Sequence, residues 1–285
     1  ETTGRRIEAL GQKVGPPGFV IHHFGLARGG DRGRRDRYYR ELGRKKLAES
    51  PDDPRGYFEL GAEALEQLGD ATEALPLLQR ACELAPRFWL AWFYRGQAHL
   101  RLGQAREALQ AFAVAREGGL TGTYCAAATG EAHYALGEYE SAARSFRRGL
   151  KTQPDSATLA SQVAMCEIRG GEAETGLKRM RRAVRAEPEN WTIQDRLISA
   201  LAWLGQITAA AEAAEAALAR YPAPNAKAYL RAASLRARAE QWAQAATALQ
   251  QGIESFPENA ALRAACSEVQ AHLSPPLSQK PLLEG

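Results

Sequence analysis

The sequence predicts an all-α solenoid: a superhelical stack of helix-turn-helix units behind a short segment that does not repeat. Three observations carry this. Glycines recur at Gly69, Gly103, Gly137, Gly171 and Gly205, 34 residues apart each time. Prolines keep the same period at Pro154, Pro188 and Pro222, with Pro86 two periods earlier, Leu120 in the gap and Pro257 after a slip of one residue. Small residues follow in phase, five positions after each glycine (Ala74, Ala108, Ala142, Gly176, Ala210) and again twelve after it (Ala81, Ala115, Gly149, Ala183, Ala217), and Ala245 and Gly252 continue the pattern. A fixed period of this length marks stacked supersecondary units.

Each unit reads as two amphipathic helices. The glycine ends the first, because it can take the left-handed conformation at a helix C-terminus. The proline ends the second, because it disfavours helical geometry in the residue before it. Small residues on one face let neighbouring helices approach, and Leu78, Phe112, Phe146, Met180 and Leu249 fill the space between. One unit cannot bury both of its faces, so stacking has to complete the core. This predicts a right-handed superhelix of about twelve helices from Pro54 to Pro257, with no sheet.

The composition agrees. Of 285 residues, 45% are hydrophobic and 25% charged, which excludes a disordered or collagen-like chain. No apolar run approaches the roughly 20 residues of a membrane span, and the first 30 residues are broken by Gly, Pro and charge, unlike a signal peptide. A cytoplasmic location is the expectation. The net charge of +4 is too small to argue for nucleic acid. It is unevenly spread: nine basic and three acidic residues lie between Arg28 and Lys46. That segment reads as a solvated linker face, the alternatives being contact with anionic lipid or RNA; only Tyr38 and Tyr39 interleave it, which weakens RNA. Cys82, Cys125, Cys166 and Cys266 are far apart with no CxxC pair, and read as small buried apolar residues.

These residues resemble the tetratricopeptide repeat, a 34-residue helix-turn-helix. In the best unit Trp92, Gly96, Ala98, Gly103, Ala108, Phe112 and Ala115 stand where that family has its signature residues, and Arg95 replaces the usual Leu. Six units begin near Pro54, Trp89, Thr123, Ala157, Trp191 and Ala226. The first carries one extra residue, and the fourth and fifth lack the signature Trp and first Gly. The chain is thus parsed as a non-repeat segment over 1–35, a basic linker helix over 36–53, repeats over 54–257, a capping helix over 258–273 and a disordered tail over 274–285.

The resemblance implies a groove lined by first-helix positions 2, 5, 9, 12 and 13. In the second unit these include Leu90, Phe93, Gln97 and Arg101, and in the third Tyr124, Glu131 and Tyr134. The fourth supplies Ser161, Met165, Ile168 and Arg169, and the fifth Asp195, Ser199 and Trp203. The Lys and Asn pair with which some members clamp a terminal carboxylate is missing: Phe93 with Gln97, and Ala127 with Glu131, cannot make it. Such a groove suits an extended protein segment held through apolar side chains with little salt dependence, Phe93, Tyr124, Tyr134 and Trp203 being the anchors. The other tryptophans read as core.

The first 53 residues contain the only stretch with strand character, Gly18-Phe-Val-Ile-His-His-Phe-Gly25. A lone strand needs a sheet to pair with. The segment resembles the end of the catalytic domain in bacterial family 2 glycosyltransferases that carry C-terminal tetratricopeptide repeats. The matching residues are Ile21, His23-Phe24-Gly25, Tyr39, Leu42 and Pro51-Asp52-Asp53-Pro54. This resemblance implies a sheet, a sugar-nucleotide site and an Asp-x-Asp metal motif upstream of Glu1, where the chain begins without an initiator Met, and makes His23 the candidate ligand of a divalent metal. The alternative is that His22 and His23 straddle the strand with no metal. The chain itself shows no Asp-x-Asp, HExxH, GxGxxG, Walker or GxSxG motif, so no catalytic residue and no cofactor is assigned within it. Asp52-Asp53 reads as helix capping. His99, His133 and His272 read as packing residues. Two function classes remain: a module that binds an extended protein segment, and the tail of a sugar transferase that positions an acceptor.

Overall fold

A computed structural model describes residues 32–221 and 225–273, with the side chains of 32–39 and of Lys46 left aside. The predicted strand, His23 and the tail from Ser274 lie outside the described residues. The chain divides into two units, 1–49 and 50–285. The first contributes one described helix, α1 (Arg32–Glu49), four residues longer at its start than the sequence predicts.

The second unit holds six helix pairs and a cap: α2 (Pro54–Glu66) with α3 (Ala71–Leu84), α4 (Trp89–Arg101) with α5 (Ala105–Glu117), α6 (Thr123–Ala135) with α7 (Tyr139–Thr152), α8 (Ala157–Arg169) with α9 (Ala173–Ala186), α10 (Trp191–Trp203) with α11 (Ile207–Arg220), α12 (Ala226–Arg238) with α13 (Trp242–Ser255), and α14 (Ala260–Leu273). Successive helices pack on one another along the array. No strand occurs among the described residues, and none of their helices is long and apolar enough to cross a membrane.

The spaced glycines do what their period requires. Gly69, Gly103, Gly137, Gly171 and Gly205 all have positive φ, between 68° and 100°. At Gly103 the turn is a Schellman motif: Gln104 N–H donates to the His99 carbonyl at 2.9 Å and Gly103 N–H to that of Leu100 at 3.1 Å. In the last pair the one-residue slip brings Glu240 to φ 59°, so this position carries the strain that glycine avoids elsewhere. His99 and His133 brace the same turn, their Nδ1 atoms 2.7 Å from Gln104 Oε1 and 2.6 Å from Glu138 Oε2. His272 lies stacked on Trp242, ring centroids 3.9 Å apart. Asp53 caps α2, accepting from Arg55 N–H at 3.0 Å.

Within a pair, glycine also sets the spacing. A Cβ on Gly61, Gly96 or Gly130 would lie 2.7 Å from Leu78, 2.5 Å from Phe112 or 2.6 Å from Phe146, so the second helix presses its large side chain into the groove that glycine leaves. The fourth unit, which lacks this glycine, moves it across the pair: a Cβ on Gly176 of α9 would meet Ile168 at 2.5 Å. The missing tryptophan is replaced in function too. Trp92 Nε1 donates to the Pro86 carbonyl at 3.0 Å, and in the fifth unit Gln194 Nε2 donates to that of Pro188 at 2.8 Å from the same helix position. All four cysteines are buried and unpaired. Burial pushes the thiols of Cys82 and Cys166 up to about 11 and about 12, which keeps them as inert thiols.

Phe146→Ala should lower unfolding stability by about 3–5 kcal/mol, since the ring is 2% exposed. Gly130→Ala should cost about 1–3 kcal/mol, because the Phe146 ring has to shift for the new methyl group. Denaturant titration followed by far-UV circular dichroism reads both, and an unchanged midpoint would disprove the close-approach account.

Candidate interaction groove

First helices of neighbouring units touch one another, α2 with α4, α4 with α6, α8 with α10 and α12 with the cap, while no pair of second helices approaches as closely. An array whose first helices are drawn together curves with those helices on the inside. Glu131 of α6 reports the same geometry chemically. Its residue is exposed, yet desolvation raises its carboxyl above the ordinary 4.5, opposed by the hydrogen bond from Gln162 and by the charge of Arg196. Contact with water combined with dense surroundings is the condition of a concave wall.

The inner face is tied together by one position that the sequence reading passed over, the sixth of the first helices α4, α8, α10 and α12. Gln162 of α8 donates to Glu131 at 3.1 Å. Arg196 of α10 donates to Ser161 at 3.0 Å, and burial lowers its pKa against the raising influence of Glu131 and Asp195. Arg231 of α12 bonds Asp195 and, at 2.7 Å, Ser199. Tyr94 of α4 bonds Glu66 of α2 in the same way. In these four helices the side chain at this position reaches back to the preceding first helix, whereas α6 carries Ala128 there and makes no such bond. The signal was present as a column: Gln162, Arg196 and Arg231 stand 34 and 35 residues apart.

A second cluster forms around Arg169 at the end of α8. Its guanidinium lies 6.0, 5.2 and 5.1 Å from the ring centres of Tyr134, Tyr139 and Trp203, and donates to Tyr139 Oη at 2.7 Å. Tyr139, on the second helix α7, is absent from the sequence-derived lining. Stacking fixes the guanidinium in place and leaves the Trp203 indole 50% exposed.

Of the remaining predicted residues, Leu90 and Tyr124 are exposed at 39% and 83%, Gln97 and Met165 are half-buried, and Arg101 bonds the Leu65 carbonyl of α2. The structure corrects Phe93. It is 8% exposed and packs on Phe112 with ring centroids 5.6 Å apart, because Gly96 admits that ring and Phe93 closes over it. Ile168 and Ser161 are likewise fully buried. The structure brings together Glu131 with Arg196, Tyr134 with Arg169 and Trp203, and Asp195 with Arg231; Leu90 and Tyr124 stand apart from these clusters. No group of three or more metal-ligating side chains occurs among the described residues.

Models of the tetratricopeptide repeat match residues 59–119, 128–190 and 227–259, together more than half of the chain. No curated protein matches the sequence. Among solved structures, a tetratricopeptide repeat protein from Parabacteroides merdae superimposes with a TM-score of 0.66 at 15% identity, over 84% of this chain and 93% of that one. The Cut9–Hcn1 hetero-tetramer of the APC/C matches with a TM-score of 0.58 at 15% identity, over 83% of this chain and only 46% of that one. Pseudomonas aeruginosa pilF matches at 0.53 and 16% identity, over 82% and 99%. At such identities the likeness is one of fold.

Two outcomes follow. Phe93→Ala should lower stability by about 3–5 kcal/mol, visible in a melting curve before any binding is measured. Glu131→Gln should raise stability at neutral pH: a carboxyl whose folded pKa is raised contributes favourably only below its unfolded value, and that contribution is lost as pH rises through the folded value. The gain over wild type should vanish near pH 4; a gain that persists there would show that desolvation of the charge is not its cause.

Proposed function

Because the chain belongs to the tetratricopeptide repeat family, we propose that it is a scaffold whose inner groove, from α6 to α12, holds an extended segment of a partner protein. The observation that carries this reading is the pairing of a stiffened polar wall with exposed aromatic surface. Position-six side chains hold the wall rigid, so little side-chain entropy is lost on binding. Trp203, backed by Arg169, and Tyr124 then offer large rigid surfaces of the kind that dominate binding energies. A cytoplasmic location belongs to the same proposal.

A photo-reactive benzoyl-phenylalanine at position 124 or 203 should cross-link a partner, and one at the exposed second-helix position 250 should not. Trp203→Ala should then weaken binding of the captured segment by on the order of 1–3 kcal/mol in calorimetry, with an unchanged melting curve. Equal cross-linking from position 250 would remove the groove as the site.

A second, finer reading makes this array the C-terminal part of a bacterial family 2 glycosyltransferase that positions an acceptor; the alternative is a stand-alone adaptor. What supports the transferase is that Tyr39 and Leu42 fall on α1 and that Pro51-Asp52-Asp53-Pro54 leads into α2, as that resemblance requires. Divalent metal and nucleotide sugar would then bind in a domain upstream of Glu1, with His23 as a ligand. Sugar-nucleotide turnover should appear only in a chain extended upstream through an Asp-x-Asp. Turnover by residues 1–285 alone, or an initiator codon directly before Glu1, would refute it.

A further inference from the structure

The outer face of the third and fourth units carries a charge pattern that the overall balance conceals. On α7, Arg144, Arg147, Arg148 and Lys151 are exposed, and on α9, Lys178, Arg181, Arg182 and Arg185. The two sets stand at identical repeat positions, 34 residues apart, and the i, i+3, i+4, i+7 spacing puts each set on one helical face. The same columns hold Glu117 in the second unit and Glu212 and Glu215 in the fifth, so the basic face is confined to these two helices.

Glu167 of α8 joins the two rows. It accepts from Arg147 of α7 at 3.0 Å and from Arg179 of α9 at 2.9 Å. Its side chain is 3% exposed while those of the two arginines are 47% and 39% exposed. One buried carboxylate thus brings guanidiniums from two second helices together and leaves their outer sides in water. Beyond this triad and an i, i+4 pair of Arg144 with Glu140 at 3.5 Å, the exposed cations of α7 and α9 make no ion pair with a carboxylate among the described residues.

From this geometry we propose that the joined basic face of α7 and α9 binds the phosphate backbone of double-stranded nucleic acid, independently of base sequence. Six of the eight exposed cations are arginines, whose planar fork matches phosphate oxygens in pairs. Each row sets four cations along about 10 Å of helix axis, a spacing of the same order as the charges of a duplex, which carries about one per 1.7 Å of axis. The face bears no exposed aromatic ring, so it offers no platform for stacking the bases of a single strand. It bears no exposed large apolar side chain either, since Phe146, Leu177 and Met180 point into the core, and surface helices that settle on lipid bury an apolar face there.

The test is fluorescence anisotropy of a labelled mixed-sequence duplex of about 20 base pairs, titrated with the full chain. Affinity should fall about a thousandfold between about 50 and 200 mM salt, as expected for about six phosphate contacts. The triple variant R148E/R181E/R182E should bind on the order of a hundredfold more weakly. The control R87E/R220E/R263E changes the net charge equally on other units and should stay within about threefold of wild type. Should the reversal variant fail to give a normal melting curve, R148Q/R181Q/R182Q serves instead and should still lose at least about tenfold. Equal losses in patch and control variants would overturn the proposal. So would sedimentation of the chain with phosphatidylserine vesicles together with no binding of the duplex.

Discussion

The contact on which this molecule depends is the close approach of the two helices in each pair. Gly61, Gly96 and Gly130 leave no room for a Cβ, and Leu78, Phe112 and Phe146 occupy the space where one would stand. Burying such a side chain contributes roughly 1.5–3 kcal/mol. In the first three units this contact forms the centre of the pair, and stacking on neighbouring units completes the core. The fourth unit replaces it by placing glycine at Gly176 on the opposite helix, where Ile168 of the first helix occupies the space a Cβ would need. Small residues at the remaining contact positions, such as Ala108, Ala142 and Ala210, are fully buried and let the next unit stack at the same distance.

Once the spacing within pairs is set, the two faces of the array differ. First helices crowd together, and a polar side chain at their sixth position can reach the helix before. This is why Gln162, Arg196 and Arg231 form a chain along the inner wall instead of pointing into water. It also explains the sign of the Glu131 perturbation: a carboxylate on a concave wall is surrounded by protein even where water touches it, so its charged form is disfavoured despite a nearby guanidinium. Second helices spread apart on the other side. Their long basic side chains stay solvated, and only a buried acid between them, Glu167, draws two rows into one surface. Removing that acid would leave two guanidiniums facing each other with no compensating charge.

The repeat was legible in the sequence because each of its devices is local. A positive-φ glycine, a proline after a helix and a small residue at a fixed offset all act within a few residues of themselves, so Gly103, Pro154 and Ala108 announce their roles by spacing alone. The capping of α2 by Asp53 and the bracing of turns by His99 and His133 are equally short-range. The groove was legible only as a set of positions. Phe93 satisfies the position rule and is nonetheless core, because what decides its exposure is the size of its neighbour Phe112 and the absence of a Cβ at Gly96.

What the sequence by itself determined is therefore the unit: where each helix starts and stops, which side chains face its partner, and that units of this length must stack. What only the tertiary structure decided is which side chains meet across units. Arg169 with Tyr134, Tyr139 and Trp203, Glu131 with Gln162 and Arg196, and Arg147 with Glu167 and Arg179 are joined by contacts between helices, between residues 12 to 65 positions apart. The physical reason is range. Helix propensity and capping act over one turn of chain, whereas the curvature of the stack and the partners it brings together come from the summed packing of all its helices.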